Sequence, residues 1–228
     1  MSTKSTNNST PEESMGMLDT LYQQVIDGVS QLSPPVKQVA KDYLARRIEP
    51  SDAAKLMIRA QIGKCTSSGA LTGLGGLATL PLTIPLNVST VLYFQMRMVA
   101  CTACMAGLDL RDESVKTLVL ACFAGVELTD ELKDGDGKLA SGKIGEKAGD
   151  ELIVSLIKKL PTSSLKTINQ KVAVQFAEQT AKMGVKNAGK LIPGLGAIIG
   201  GSFDYVSAKL MGNRAYQWFF ENDMSDDD

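Results

Sequence analysis

The pattern of hydrophobic and polar positions predicts helices along nearly the whole chain. From Leu18 to Leu32, apolar residues recur at spacings of three and four, which draws one stripe along an amphipathic helix. After Pro161, Leu165, Val172, Phe176 and Met183 share one helical face, and strand alternation is absent there. We therefore predict an all-α fold, a single multi-helix bundle.

Both ends of the chain differ from this pattern. The first eleven residues are rich in Ser, Thr and Asn, and residues 222–228 contain four aspartates. Neither segment has enough apolar area to order itself by burial. We predict tails over 1–11 and 222–228, flanking one helical domain over 12–221.

The most unusual segment runs from Cys65 to Met96, 32 residues without a charged side chain. This exceeds the ~20 apolar residues that a membrane-spanning helix needs. Glycines and prolines interrupt it, however, so one straight span is disfavoured. We predict two short hydrophobic helices that meet near Pro81 to Pro85, the second of which continues to a C-terminal cap at Gly107.

Two features suggest contact with a membrane or a ligand. Gly69 and Gly73 form a small-xxx-small pair, as do Gly196 and Gly200, and such pairs allow helices to approach closely. Three lysines of the helix after Pro161 fall within about 60° of one another and form a basic face. Such a face suits an anionic membrane surface, and it is also what the solvated outer face of an ordinary core helix presents. The predicted contact residues are Gly69, Gly73, Gly76, Lys171, Lys182, Lys186, Gly196 and Gly200.

Composition excludes several classes of function. With 24 basic and 25 acidic side chains the net charge is −1, which does not suit a strongly basic nucleic-acid-binding protein. The chain has no histidine, so histidine-dependent triads, HExxH metalloproteases and Cys/His zinc fingers are excluded. Catalysis by carboxylates, lysine, tyrosine or thiols is all that remains.

Several motifs approach a known chemistry without completing it. The segments 137–143 and 184–190 begin like P-loops, but Ile144 and Leu191 replace the hydroxyl residue that should reach magnesium. The acidic turn at 134–137 lacks the first and twelfth ligands of a calcium loop. Cys101 and Cys104 lie within a helical pattern, which favours buried thiols over a metal site. We therefore predict no catalytic, cofactor-binding or metal-binding residues.

Asp204 is an acidic residue among glycines and aliphatic residues, where a carboxylate needs a partner. Arg97 and Arg214 are candidate partners, and we predict a buried polar pair between Asp204 and Arg97. An enzymatic interpretation would require Asp204, or another buried acid, to meet a lysine or tyrosine in a cleft.

Short motifs give the chain a resemblance to a known family. They are Gly107-Leu-Asp109, Phe123-Ala-Gly125, Ile192-Pro193-Gly194-Leu195-Gly196 and Gly200-Gly201-Ser-Phe-Asp204. Together they resemble the EcsC protein family over roughly residues 55–220. The resemblance implies a helical, mostly bacterial protein associated by name with a transporter operon, with no catalytic residues to carry over.

Two functional hypotheses follow. In the first, a non-enzymatic helical protein associates peripherally with the cytoplasmic face of the inner membrane, because the neutral segment inserts shallowly and the lysine-rich helix assists. In the second, the same segments are core, and a soluble bundle binds a hydrophobic ligand or a protein partner. The first residues contain no hydrophobic run of the kind a secretory signal needs, so we expect a cytoplasmic location without a cofactor.

Overall fold

The structure, a computed structural model, describes residues 10–29, 33–47, 49–66, 86–126, 128, 160–188 and 196–220. Within these ranges the chain forms seven helices and no strand, which confirms the all-α prediction. The helices are α1 (Pro11–Asp27), α2 (Val36–Leu44), α3 (Pro50–Thr66), α4 (Leu86–Met105), α5 (Glu113–Ala124), α6 (Thr162–Ala188) and α7 (Gly196–Phe220).

Local sequence signals set where the helices begin. At the start of α1, Thr10 Oγ1 accepts a hydrogen bond from the Glu13 backbone N–H, and Glu13 Oε2 accepts one from the Thr10 N–H. Asp112 Oδ1 caps α5 by accepting bonds from the two backbone N–H groups of Ser114 and Val115. Helix α3 begins at Pro50, because proline suits the first helical position.

Glycines set where α4 and α5 end. Gly107 has φ +82° and Gly125 has φ +74°, both in the left-handed region that favours glycine. Beyond α4, the Leu108 N–H donates to the Ala103 carbonyl, which closes the helix at the predicted position. The second of the two predicted hydrophobic helices is thus confirmed as α4, and the first lies outside the described residues.

Helix α4 is the centre of the bundle. It packs against α1, α2, α3, α5 and α7, and every side chain from Leu92 to Ala103 is buried. A helix that is apolar on all sides is buried in this way, so the hydrophobicity of α4 follows from its central position. The described end of the neutral segment, Leu92 to Met96, therefore lies in protein core.

Contacts between side chains give the directions of three helices. Lys55 Nζ lies 5.2 Å from the centre of the Tyr216 ring, and Ile58 packs on Gly212, so α3 and α7 are antiparallel. Gln95 donates to Ser207, and Met98 reaches Gly212, so α4 and α7 are parallel. As a result, the end of α3, the start of α4 and the start of α7 lie at one end of the bundle, which we call the glycine end.

Candidate functional site

The glycine end brings together chain segments that the sequence analysis selected separately. Residues 67–85, which connect α3 to α4, contain Gly69, Gly73 and Gly76, whereas Gly196 and Gly200 belong to the first turns of α7. The three glycines of 67–85 lie outside the described residues, so their contacts stay predictions. The helix directions nevertheless place both ends of that connection beside the start of α7.

An exposed apolar surface lies on α7. Val206 is 53% exposed and Leu210 is 62% exposed, and their spacing of four residues places them on one face of the helix. Tyr205, 45% exposed, and the exposed Lys209 lie beside them. We call these four residues the α7 strip. The strip was not predicted from the sequence, because apolar residues occur around the whole circumference of α7.

Two intervals of the sequence that adjoin the glycine end contain bases and no acidic residue, although Asp204 lies on α7 directly before Tyr205. No acidic residue occurs between Asp52 and Asp109, and none occurs between Glu178 and Asp204. The first interval contains four bases and the second contains three. These bases are Lys55, Arg59, Lys64 and Arg97, followed by Lys182, Lys186 and Lys190. Arg97 is buried and Lys55 lies on the Tyr216 ring, away from the start of α7, so only the other bases of these intervals can favour an anionic partner over a cationic one.

Near the glycine end, α3 and α4 each carry a buried glutamine. Gln61 and Gln95 are each 2% exposed, and Gln95 Nε2 donates a hydrogen bond of 3.0 Å to Ser207 Oγ. Gln61 Oε1 has no hydrogen-bond partner among the described residues. Sequence analysis missed this group, although a glutamine between Phe94 and Met96 in an apolar helix signals a buried polar residue.

Arg97 is buried, 3% exposed, and it holds the turn between α1 and α2. Its Nη1 donates to Ser33 Oγ and, at 2.9 Å, to the Tyr93 hydroxyl, while its Nη2 donates to the Pro34 carbonyl oxygen at 2.6 Å. The Tyr93 hydroxyl in turn donates to Ser33 Oγ. The side chain of Asp204 lies outside the described residues, so the predicted pair with Arg97 stays a prediction.

Of the three predicted lysine contacts, the structure describes the side chain of Lys171, which is exposed. Lys182 and Lys186 lie on the same helix, α6, but their side chains are outside the described part of the chain. Helix α6 packs against α1 and α5, whereas α7 packs against α3, α4 and α5. Lys171 and the α7 strip therefore lie on two helices for which the described contacts show no direct packing.

Arg214, the other candidate partner of Asp204, contacts the end of α5. Its Nη1 lies 3.3 Å from the Cys122 carbonyl oxygen, and from α6 Gln179 Nε2 donates to the Ala124 carbonyl oxygen at 2.7 Å. Cationic and amide donors at a helix C-terminus satisfy carbonyl groups that have no partner within the helix. Residues from α6 and α7 thus meet at the C-terminus of α5.

Cys122 is buried and Cys104 is half-buried, and neither forms a disulfide. Burial raises the pKa of the Cys122 thiol to about 12, with a smaller opposing effect of Arg214, and burial also raises the pKa of Cys104. A raised pKa disfavours the thiolate, which is the form that attacks substrates or binds metals. The described residues contain no group of three or more side chains placed to hold a metal ion.

The structure describes only part of the two segments that begin like P-loops, 137–143 and 184–190. Residues 184–188 of the second segment are the last residues of α6, whereas a P-loop would follow a strand and precede a helix. The segment 137–143 and the acidic turn at 134–137 lie outside the described residues. The described residues 184–188 therefore do not have the loop conformation of a P-loop.

Comparison with known proteins extends the resemblance seen in the sequence. The family model described as the EcsC protein family matches residues 3–219 of the 228-residue chain. No curated protein and no solved structure matches the chain. Within the described ranges, none of the helices has the length and apolar character needed to cross a bilayer.

Proposed function

The chain belongs to the EcsC protein family, and from that premise we propose that it is a non-enzymatic helical protein that associates peripherally with an anionic membrane surface. The observation that carries this proposal is the α7 strip, in which Tyr205, Val206 and Leu210 are exposed beside Lys209. The strip lies on the helix that begins at the glycine end. Association at the cytoplasmic face of the inner membrane, and the link to a transporter implied by the family resemblance, belong to the same proposal.

The energetics suit reversible binding. Removing the exposed portions of the three apolar side chains from water contributes about 1 kcal/mol each, because each is roughly half exposed. Each basic residue near an anionic surface contributes about 1 kcal/mol more. The sum is comparable with a single weak lipid anchor, which gives marginal, reversible association. Shallow contact by one helix face requires no irregular backbone in the hydrocarbon region.

Sedimentation with lipid vesicles tests the proposal. We expect the protein to bind vesicles that contain phosphatidylglycerol and to bind pure phosphatidylcholine vesicles more weakly. Leu210→Glu removes apolar area and adds a negative charge, so it should weaken binding to the anionic vesicles at least tenfold. Added salt should weaken binding of the wild-type protein because it screens the electrostatic part.

Gln23→Glu is the matched control. It adds the same charge at an exposed position of α1, whereas the helices packed against α7 are α3, α4 and α5. Its vesicle binding should stay close to that of the wild type. Equal losses for Leu210→Glu and Gln23→Glu would show that net charge alone matters, and a wild-type protein indifferent to anionic vesicles would refute the proposal.

A second candidate function is a helical module that binds a hydrophobic ligand or a protein partner. It is favoured by the burial of Leu92 to Met96, since this end of the neutral segment is core. In that case the protein would stay monodisperse in plain buffer without binding vesicles, and Leu210→Glu would leave ligand binding unchanged.

A further inference from the structure

We propose that Gln61, with Gln95 and Ser207, forms a neutral polar site that binds the hydroxyl-bearing head group of an uncharged amphiphile. The proposal deepens the membrane association proposed above, because it names the lipid chemistry that the glycine end recognises. Its central observation is that Gln61 Oε1 is buried without a hydrogen-bond partner among the described residues. A buried carbonyl oxygen that lacks a donor is costly, so its presence calls for an explanation.

The helix register places the three residues at neighbouring levels of the bundle. A Cβ atom at Gly212 would contact Ile58, Met98 and Ile62, so these positions of α3, α4 and α7 lie at a common level. Gln61 lies between Ile58 and Ile62 along α3. Gln95 is three residues before Met98, a step of roughly 4.5 Å toward the glycine end. The bond from Gln95 to Ser207 places the α7 hydroxyl at this level as well.

The chemistry of the three groups selects the ligand. Gln61 Oε1 accepts a hydrogen bond, so the ligand must supply a donor. A carboxylate or phosphate would place negative charge against this oxygen without a donor, which disfavours an anionic head group. An uncharged hydroxyl can donate to Gln61 Oε1, and its attached acyl chain suits the apolar surroundings. A monoacylglycerol or diacylglycerol head has this chemistry.

The test compares two probes that differ in the donor, 1-monooctanoylglycerol and methyl octanoate, by calorimetric titration of the full chain. We expect wild type to bind the hydroxyl-bearing probe roughly tenfold more tightly, the usual effect of one buried hydrogen bond. Gln61→Leu should lose this preference while it keeps its affinity for methyl octanoate. Without ligand, the same variant should melt about 2–6 °C higher, because it removes the unpaired carbonyl.

Ser14→Ala is the control for this variant. Ser14 is fully buried on α1, and its hydroxyl also lacks a partner among the described residues, so alanine should raise the melting temperature without changing the preference between probes. The inference is overturned if wild type binds neither probe, if it binds both equally, or if Gln61→Leu retains the preference. A crystal grown with 1-monooctanoylglycerol that shows only a water at Gln61 also overturns it.

Two further binding measurements separate this inference from the proposed function and identify the source of the ligand. Leu210→Glu should bind vesicles weakly yet keep its affinity for 1-monooctanoylglycerol, so failure of vesicle binding leaves the probe result intact. Adding dioleoylglycerol to vesicles should strengthen binding of wild type more than binding of Gln61→Leu if the ligand is a membrane lipid. A preference that occurs in solution alone identifies a free amphiphile.

Discussion

We expect Gly28→Ala to open the turn between α1 and α2, to which Arg97 donates hydrogen bonds. Gly28 has φ 78° and ψ 172°, a combination that is essentially restricted to glycine. A Cβ atom there would also lie 2.7 Å from the backbone nitrogen of Pro35 and 2.8 Å from the carbonyl carbon of Pro34. Because both neighbours are backbone atoms, a rotamer change cannot relieve the overlap, and the turn has to open.

The magnitude follows from what the opened turn loses. The backbone conformation alone costs alanine about 1–3 kcal/mol. Opening also breaks the two hydrogen bonds of 2.9 Å between the backbones of Val29 and Ser33, at about 1 kcal/mol each. The bond from Arg97 to the Pro34 carbonyl involves a charged donor and is worth about 1.5–3 kcal/mol. We expect Gly28→Ala to lower the free energy of unfolding by about 4 kcal/mol or more.

Urea denaturation measures this loss, and Gly107→Ala is its control. Gly107 also has a positive φ, 82°, but a Cβ atom there meets nothing within 4 Å. The control variant should therefore lose only the conformational part, about 1–2 kcal/mol. Equal losses of unfolding free energy in the two variants would refute the argument. They would show that the backbone around Gly28 can move away from a Cβ atom without destabilising the protein.

Two further predictions concern the C-terminus of α5. Gly125→Ala should destabilise the protein by about 2 kcal/mol, because a Cβ atom would lie 2.8 Å from Arg214 Nη1, and in a double-mutant cycle Arg214→Ala should remove the steric part of this loss. For Cys122, the folded-state pKa of about 12 lies above the ordinary value of 9.0, so the unfolded chain releases its proton first as the pH rises. Stability should therefore be constant with respect to this group below pH 9 and fall between pH 9 and 12, and denaturation curves of Cys122→Ala should show a smaller fall over that window.

Much of the fold could be predicted from the sequence because the features that define its helices are local. The cap at Gly107 depends on neighbouring residues, so it can be predicted from a single sequence. The all-α class follows from the same apolar spacings. The family resemblance was also accessible, since its motifs are short and contiguous, and the matched region of 3–219 exceeds the predicted extent.

The candidate site was harder to predict from the sequence because it depends on which helices pack against one another. Sequence spacing gives the face of Gln61 on α3 and of Ser207 on α7, but not that antiparallel packing brings them to neighbouring levels. The exposure of Leu210 has the same origin, since α7 is rich in apolar residues around its circumference. Which of those residues face solvent is decided by the positions of α3, α4 and α5.

The same reasoning changes what the neutral segment says about membranes. Thirty-two uncharged residues suggest lipid contact, yet the described end of the segment is enclosed by protein because α4 has neighbours on all sides. A long uncharged segment is therefore explained by burial when its helix lies at the centre of the bundle. Exposed apolar residues need a different explanation, since α7 has packing partners on one side and still presents Val206 and Leu210 to solvent. For this chain, the case for membrane association rests on exposure at α7 and on the absence of acidic residues between Asp52 and Asp109, more than on hydropathy.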